Sequence, residues 1–366
     1  MPEQILSLSI EKKIGQMFFI GIPSPEFDEP TRNLLEEIAP GGICLFARNI
    51  REAAKTRRLL DEIRTACEIT PFLSIDQEGG LVDRLRRIVE PMPSVNSLKS
   101  VPEVENLAEI TAEILRILGF NMNFAPVVDV TNELRRKFVN GLNSRTFGNS
   151  KETAAEFGKV YLDKLQKKGI IGCLKHFPGL GASEVDSHEE LPSVNLPQNE
   201  LAEVDLFPYR EMLKNSKVNA VMIAHAAFPN WNLQETDRDG KTLPSSLSFN
   251  FTTKLLRNKL GFNGIAITDD LEMGAILKNY GIGEACKMAI KAGAEMLAIC
   301  NNAKLIREGF EAVLQAVKSG EISSTRIDES LKRIAKVKNL INSPLSFNEN
   351  RLNELSGEIV KLKERI

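Results

Sequence analysis

Lys175 and His176 stand side by side at the end of a short apolar run, and Asp186-Ser187-His188 follow beyond a glycine-rich break. Two of the chain's three histidines therefore fall in one segment, 170–195. An imidazole has an unperturbed pKa of about 6.5, so both protonation states are accessible near neutrality, as acid/base catalysis requires. Asp186, just upstream of His188, is placed to hold that imidazole and select its tautomer. The intervening Pro178-Gly179-Leu180-Gly181 breaks regular structure, because glycine takes backbone conformations that other residues avoid. A loop this long, with no apolar pattern of its own, is expected to be functional.

Other polar groups collect at similar places. One apolar run ends in Asp76-Gln77-Glu78-Gly79-Gly80, with Arg84 shortly after. Another ends in Asp129 and leads by a long loop to Asn143-Ser144-Arg145-Thr146-Phe147-Gly148. Further runs end in His225 and in Asp269-Asp270. Metal catalysis is not expected: no H-x-H or H-E-x-x-H spacing occurs, and Lys175 beside His176 would repel a divalent ion. No phosphate-binding glycine loop opens a helix after a strand. Ser187 sits between Asp186 and His188, a poor position for a serine nucleophile activated by that imidazole. What remains is Asp269, as nucleophile or charge stabiliser, opposite His188 as proton donor. That pair suits acetal cleavage, in which a leaving oxygen is protonated while an oxocarbenium-like centre is stabilised.

Eight apolar runs position these groups: 14–22, 41–46, 71–75, 121–130, 170–174, 218–224, 264–268 and 295–300. They read as continuous stretches, the pattern of parallel strands covered on both faces. Helix-period segments alternate with them at 27–38, 50–67, 102–118, 151–168, 199–216, 251–260, 283–292 and 302–318. Asn149-Ser150 and Thr252-Thr253 look like helix starts. Eight strand–helix units without a linker predict an α/β fold, a single (β/α)8 barrel over 1–340, with a doubly wound sheet as the alternative. In such a barrel the active site lies at the C-terminal ends of the strands, where the polar residues collect. The charged tail, 341–366, is expected to form a surface helix.

Composition narrows the partners. The 366 residues are 42% hydrophobic and 26% charged, as in a globular protein with a sizeable core. A net charge of −2 makes no electrostatic case for nucleic acid or an anionic membrane. No run reaches the ~18 apolar residues of a membrane span. The run 14–22 follows two lysines but lacks a signal cleavage site and contains Gln16. The five cysteines, 44, 67, 173, 286 and 300, show no C-x-x-C spacing, and Cys44, Cys173 and Cys300 lie in apolar runs as buried free thiols. A cytoplasmic protein is expected. Its oligomeric state is not encoded legibly.

Lys175-His176-Phe177-Pro178-Gly179 followed by Asp186-Ser187-His188 resembles the signature of glycoside hydrolase family 3, in its bacterial β-N-acetylglucosaminidase branch. So do Ile75 to Gly80, Asn123 to Val130, Arg145 to Gly148 and Thr268 to Met273, which occur in the family's order and cover about 14–318. The resemblance implies a (β/α)8 barrel and a retaining mechanism, with Asp269 as nucleophile and His188, paired with Asp186, as general acid/base. It assigns Asp76, Arg84, Arg145, Lys175 and His176 to sugar binding. It implies an exo-β-N-acetylhexosaminidase that needs no cofactor and whose carbohydrate substrates are terminal β-N-acetylglucosaminides such as cell-wall fragments. The second sandwich domain that many members carry after the barrel is not expected at this length. Leu180 stands where the family often has His, and Leu81 where Arg often follows Gly-Gly. A β-glucosidase or a β-glycoside phosphorylase of the same family is the alternative activity, and a catalytically inactive sugar-binding protein the alternative class.

Each assignment has a plainer counterpart. Asp269 could cap the next helix, although Asp270 could do that instead. Lys175 and His176 could be buried ion-pair partners of Asp129 or Asp76. His225 reads as a satisfied core or rim histidine rather than a catalyst.

Overall fold

A computed structural model describes residues 2–138, 141–183 and 190–366. Eight parallel strands close into a barrel in sequence order: β1 (Phe18–Gly21), β2 (Gly42–Leu45), β3 (Phe72–Ile75), β4 (Met122–Asn123), β5 (Ile171–Phe177), β6 (Ala220–Ile223), β7 (Ile265–Asp270) and β8 (Met296–Ile299). β1 pairs with both β2 and β8, so no edge is left open. The fold is the (β/α)8 barrel expected from the sequence, and the doubly wound sheet is excluded.

Seven of the eight strands are buried along their whole length, and β7 is buried up to its two terminal aspartates. That two-sided burial is why their sequences run apolar without alternation. Helices cover the outside by turning one apolar stripe inward. The helix Glu29–Ile38 buries Thr31, Leu34, Leu35 and Ile38, the three-and-four spacing of a single face. Its start is fixed by Asp28, whose side chain accepts the N–H of Thr31. Ser150 caps Lys151–Lys167 in the same way through Thr153.

The structure redraws several boundaries. The run 14–22 is shared between a helix, Ile10–Gly15, and β1. Of 121–130 only Met122–Asn123 forms a ladder; Pro126, without an N–H, cannot extend it as a donor. The helix 199–216 is divided into Gln198–Glu200, Leu201–Asp205 and Phe207–Asn215. Thr252 and Thr253 do not start a helix: the π-helical turn begins at Asn250, and their hydroxyls bond the carbonyls of Ser245 and Ala292. A helix at Ser324–Lys338, capped by Ser323, lies beyond the eight units read from the sequence. The tail forms the helix Glu349–Lys363, which buries Leu352, Leu355, Ile359 and Leu362 and docks on Val101–Leu118 through Arg351 and Glu113 at 2.6 Å.

Inside the barrel Phe19 stacks on Phe72 and meets Phe124 edge-on, with centroids 5.9 and 5.3 Å apart. Gly42 makes room for this: a Cβ there would lie 2.3 Å from the Phe19 ring. Aromatic rings thus fill much of the interior, and Phe124, just past the end of β4, also forms part of the cavity at the strand ends.

Candidate active site

At the C-terminal ends of the strands lies a cavity of about 180 Å³. Asp76, Arg84, Arg145, Lys175, His176 and Asp269 all line it, so six of the eight site residues expected from the sequence converge on one pocket. Asp186 and His188, the other two, lie outside the described residues.

Lys175, on β5, is almost fully buried, and its Nζ reaches Asp76 Oδ1 at 2.6 Å and Glu78 Oε1 at 2.5 Å. Arg145 grips the same Glu78 with two bonds, Nε to Oε2 at 2.7 Å and Nη2 to Oε1 at 2.9 Å. Burial alone would raise the pKa of Glu78, but the charges of Lys175 and Arg145 outweigh it and hold it down at about 2. Burial likewise works against the Lys175 ammonium, yet Asp76 and Glu78 raise its pKa above the ordinary value. The buried charges therefore keep one another ionised. The ion-pair alternative for Lys175 is present, and it leaves the residue facing the cavity as well.

His176 is oriented from behind. Its Nδ1 lies 2.7 Å from Asp129 Oδ2, and since a carboxylate only accepts, Nδ1 carries the proton. Nε2 is turned towards Arg145, with Nη2 at 3.5 Å. Asp129 also takes the backbone N–H of Leu180 at 2.6 Å, tying the start of the 178–183 loop to the end of the β4 run. Leu180 is 6% exposed and lines the cavity, whereas Leu81 is 71% exposed and turns outward.

Asp269, at the top of β7, accepts the N–H of Asp270 at 2.9 Å on Oδ1. Burial pushes its pKa up, but His176, His225, that N–H and Lys175 bring it below the usual value, so it is ionised. It caps no helix; the next one, Gly274–Leu277, starts after Met273. Asp270 differs sharply. Burial raises it to about 7, aided by the nearby charges of Glu272 and Asp269. Its Oδ1 accepts the N–H groups of Glu272 at 3.1 Å and Cys300 at 3.3 Å. Two adjacent carboxyls with opposite shifts are a pattern of acid/base sites.

Sequence reasoning missed the role of Glu78, although it named the residue within its motif. The one available signal was the period of two: Asp76 and Glu78 share a face of an extended chain. Its partners are far away in sequence and were not legible. Arg84 lies with its guanidinium carbon 5.9 Å from the Phe46 ring centroid, and its buried Nε has no protein partner among the described residues. Among the described residues no group of three His, Cys, Asp or Glu side chains is arranged to hold a metal ion.

Such a pocket offers fixed donors and acceptors to the hydroxyls of a single sugar ring, with an ionised carboxylate on one side. Similarity to known proteins runs the same way. The family model described as the glycosyl hydrolase family 3 N-terminal domain matches residues 9–337. The chain is 30% identical over 337 residues to β-hexosaminidase A of Pseudoalteromonas piscicida, covering 86% of this chain but only 55% of that protein. It is 31% identical to a β-hexosaminidase of Tolumonas auensis, covering 80% of this chain and 84% of that one. A glycoside hydrolase family 3 β-N-acetylglucosaminidase of a Paenibacillus species superposes with a TM-score of 0.87 at 33% identity, over 97% of this chain and 69% of its own. By its barrel, its pocket and these matches, the chain belongs to glycosyl hydrolase family 3.

Proposed function

We propose that the protein is a retaining exo-β-N-acetylhexosaminidase that hydrolyses terminal β-N-acetylglucosaminides, such as cell-wall fragments, in the cytoplasm. The observation that carries this reading is the Asp269 carboxylate, held ionised on a rigid strand end beside Asp76, Arg145, Lys175 and His176. Asp269 attacks the anomeric carbon and forms a covalent glycosyl-enzyme, while His188, oriented by Asp186, protonates the leaving oxygen and then activates water. Asp76 accepts hydrogen bonds from ring hydroxyls; Lys175, His176, Arg145 and Arg84 face the sugar as its other polar contacts. The β-hexosaminidase relatives support the acetamido substituent. Five free cysteines, four of them buried, fit a reducing compartment.

Aryl N-acetyl-β-glucosaminide and β-glucoside, assayed side by side with and without phosphate, test the substrate. The acetamido sugar is expected to have roughly 100-fold higher kcat/KM, since a pocket built to bond an amide leaves those groups unpaired with a glucoside. Near-equal values would reject the assignment, and a large acceleration by phosphate would make the enzyme a phosphorylase. For the acid, His188→Ala is expected to slow poor leaving groups by about 10²–10⁴-fold and a dinitrophenyl glycoside far less. Equal losses across leaving groups would remove His188 from proton transfer.

A further inference from the structure

β7 leaves the ladder just where it delivers Asp269. Its register with β6 ends at Ile223 opposite Thr268, and its register with β8 shifts between Ile267 and Asp270. On the β8 side Asp270 is still held: its carboxyl takes Cys300 N–H, and the following residue, Leu271, gives its N–H to Ala298. On the β6 side, where strand pairing has stopped, the contact is a side chain. His225, 0% exposed, places Nε2 at 3.1 Å from the carbonyl oxygen of Asp270. Its Nδ1 lies 2.7 Å from Ser246 Oγ.

A carbonyl oxygen only accepts, so Nε2 carries a proton, while Nδ1 bonds the Ser246 hydroxyl, which can donate or accept. Ser246 is itself fixed, because its N–H and the hydroxyl of its neighbour Ser245 both bond Ala224 O, next to His225. Asp270 is thus gripped at its carbonyl by His225 and at its carboxyl by two N–H groups. The N–H it has left is the one that Asp269 Oδ1 accepts.

We infer that His225 is a positioning residue for the nucleophile: it replaces the missing strand partner at Asp270 and so fixes the N–H that aims the Asp269 carboxylate. The inference rests on the proposed role of Asp269. Loss of the Nε2 bond should misplace the carboxylate without emptying the pocket, since His225 is not among the described residues that line the cavity. Misplacement of about 1 Å can cost on the order of 10²-fold in rate.

The test follows glycosyl-enzyme formation with a 5-fluoro N-acetylglucosaminyl fluoride, read by mass spectrometry, and binding of N-acetylglucosamine by calorimetry. In His225→Leu the labelling rate is expected to fall at least roughly 30-fold while the affinity for N-acetylglucosamine changes less than about threefold. His225→Gln, which keeps an N–H near the Nε2 position, should recover the rate to within about fivefold of the parent, a rescue that a packing role would not give. Labelling of Asp269 at the parent rate in His225→Leu overturns the inference and leaves the proposed function standing. Equal loss of binding and labelling, or a Gln variant no better than Leu, overturns it too. Should the Leu variant fail to fold, Ser246→Ala and His225→Gln decide: the first is expected to slow labelling by about three- to tenfold at unchanged affinity, and no slowing refutes the idea. A label on any residue but Asp269 in the parent removes the nucleophile assignment, and this inference with it.

Discussion

At the mouth of the barrel Lys175 and Arg145 share Glu78, and Lys175 also meets Asp76, each pair within 3 Å. At the other end, the Lys338 Nζ is just as deeply buried, but it faces Gln16 Oε1 at 2.7 Å and the Phe72 ring at 5.4 Å. No carboxylate among the described residues pairs with it. Burial there drives its pKa down from 10.5 to about 7, so the ammonium gives up its proton far more readily than an exposed lysine. The two ends share one interior and one solvent. What differs is compensation: an ion stripped of water survives as an ion only beside a counter-ion, and otherwise gives up its charge. Charge is therefore retained at the end where the active site is proposed and is weakened at the end that supports the fold.

Breaking the compensation at the mouth should have the largest effect. Glu78→Gln leaves Arg145 and half of Lys175 uncompensated, and is expected to cost about 3–5 kcal/mol of stability and at least roughly 100-fold in kcat/KM. Denaturant titration and an aryl glycoside assay measure both. A variant within threefold of the parent would show that the pairing at the mouth is ornamental.

Asp270 tests the contrast within the mouth itself, because it is a largely buried carboxyl with no cation bonded to it among the described residues. Its folded pKa of about 7 lies above its ordinary value of 3.8. The unfolded chain ionises first, so parent stability falls as pH rises from about 4 to about 7. Asp270→Asn cannot ionise. Its stability relative to the parent should grow across that window, on the order of 2–4 kcal/mol, and level off above it. Thermal melts at pH 4.5, 6 and 8 would show this, and a flat difference would place a counter-ion near Asp270.

The smallest effect belongs to the other end. The folded pKa of Lys338 is depressed, so the unfolded chain holds its proton longer, and parent stability climbs from about pH 7 towards 10.5. Lys338→Met should stabilise the protein by about 1–2 kcal/mol at pH 6, net of the lost bond to Gln16, with the gain shrinking above pH 7. A destabilised variant at pH 6 would mean that the ammonium is compensated after all.

Much of this was legible in the sequence, for reasons that can be stated. Two-sided burial writes a strand as a continuous apolar run, and position at or just past a strand's C-terminal end marks a group as facing the mouth. Asp76, Lys175, His176 and Asp269 were found that way. The boundaries failed where one apolar run served two elements, as at 14–22, or where proline stopped a ladder, as at Pro126. The pairing of Glu78 with Arg145 and Lys175 joins residues far apart in sequence, which no local pattern records. His225 was read as a satisfied histidine, and it is one. The carbonyl that satisfies it, next to the proposed nucleophile, could come only from the fold.

The helix Glu349–Lys363 has a consequence for anyone recombining such barrels. Lys363 reaches Glu90 Oε1 at 2.6 Å, and Ser356 Oγ accepts the N–H of Glu90 at 3.1 Å. Met92, close by, gives its N–H to Asp83, and Asp83 accepts from Gln77, which stands between Asp76 and Glu78. A few hydrogen bonds thus lead from a peripheral helix to the carboxylates that line the cavity. In a chimera the helix and the 79–92 loop form one exchangeable unit: swapped together they keep their contacts, and swapped apart they leave the pocket wall without its outer brace.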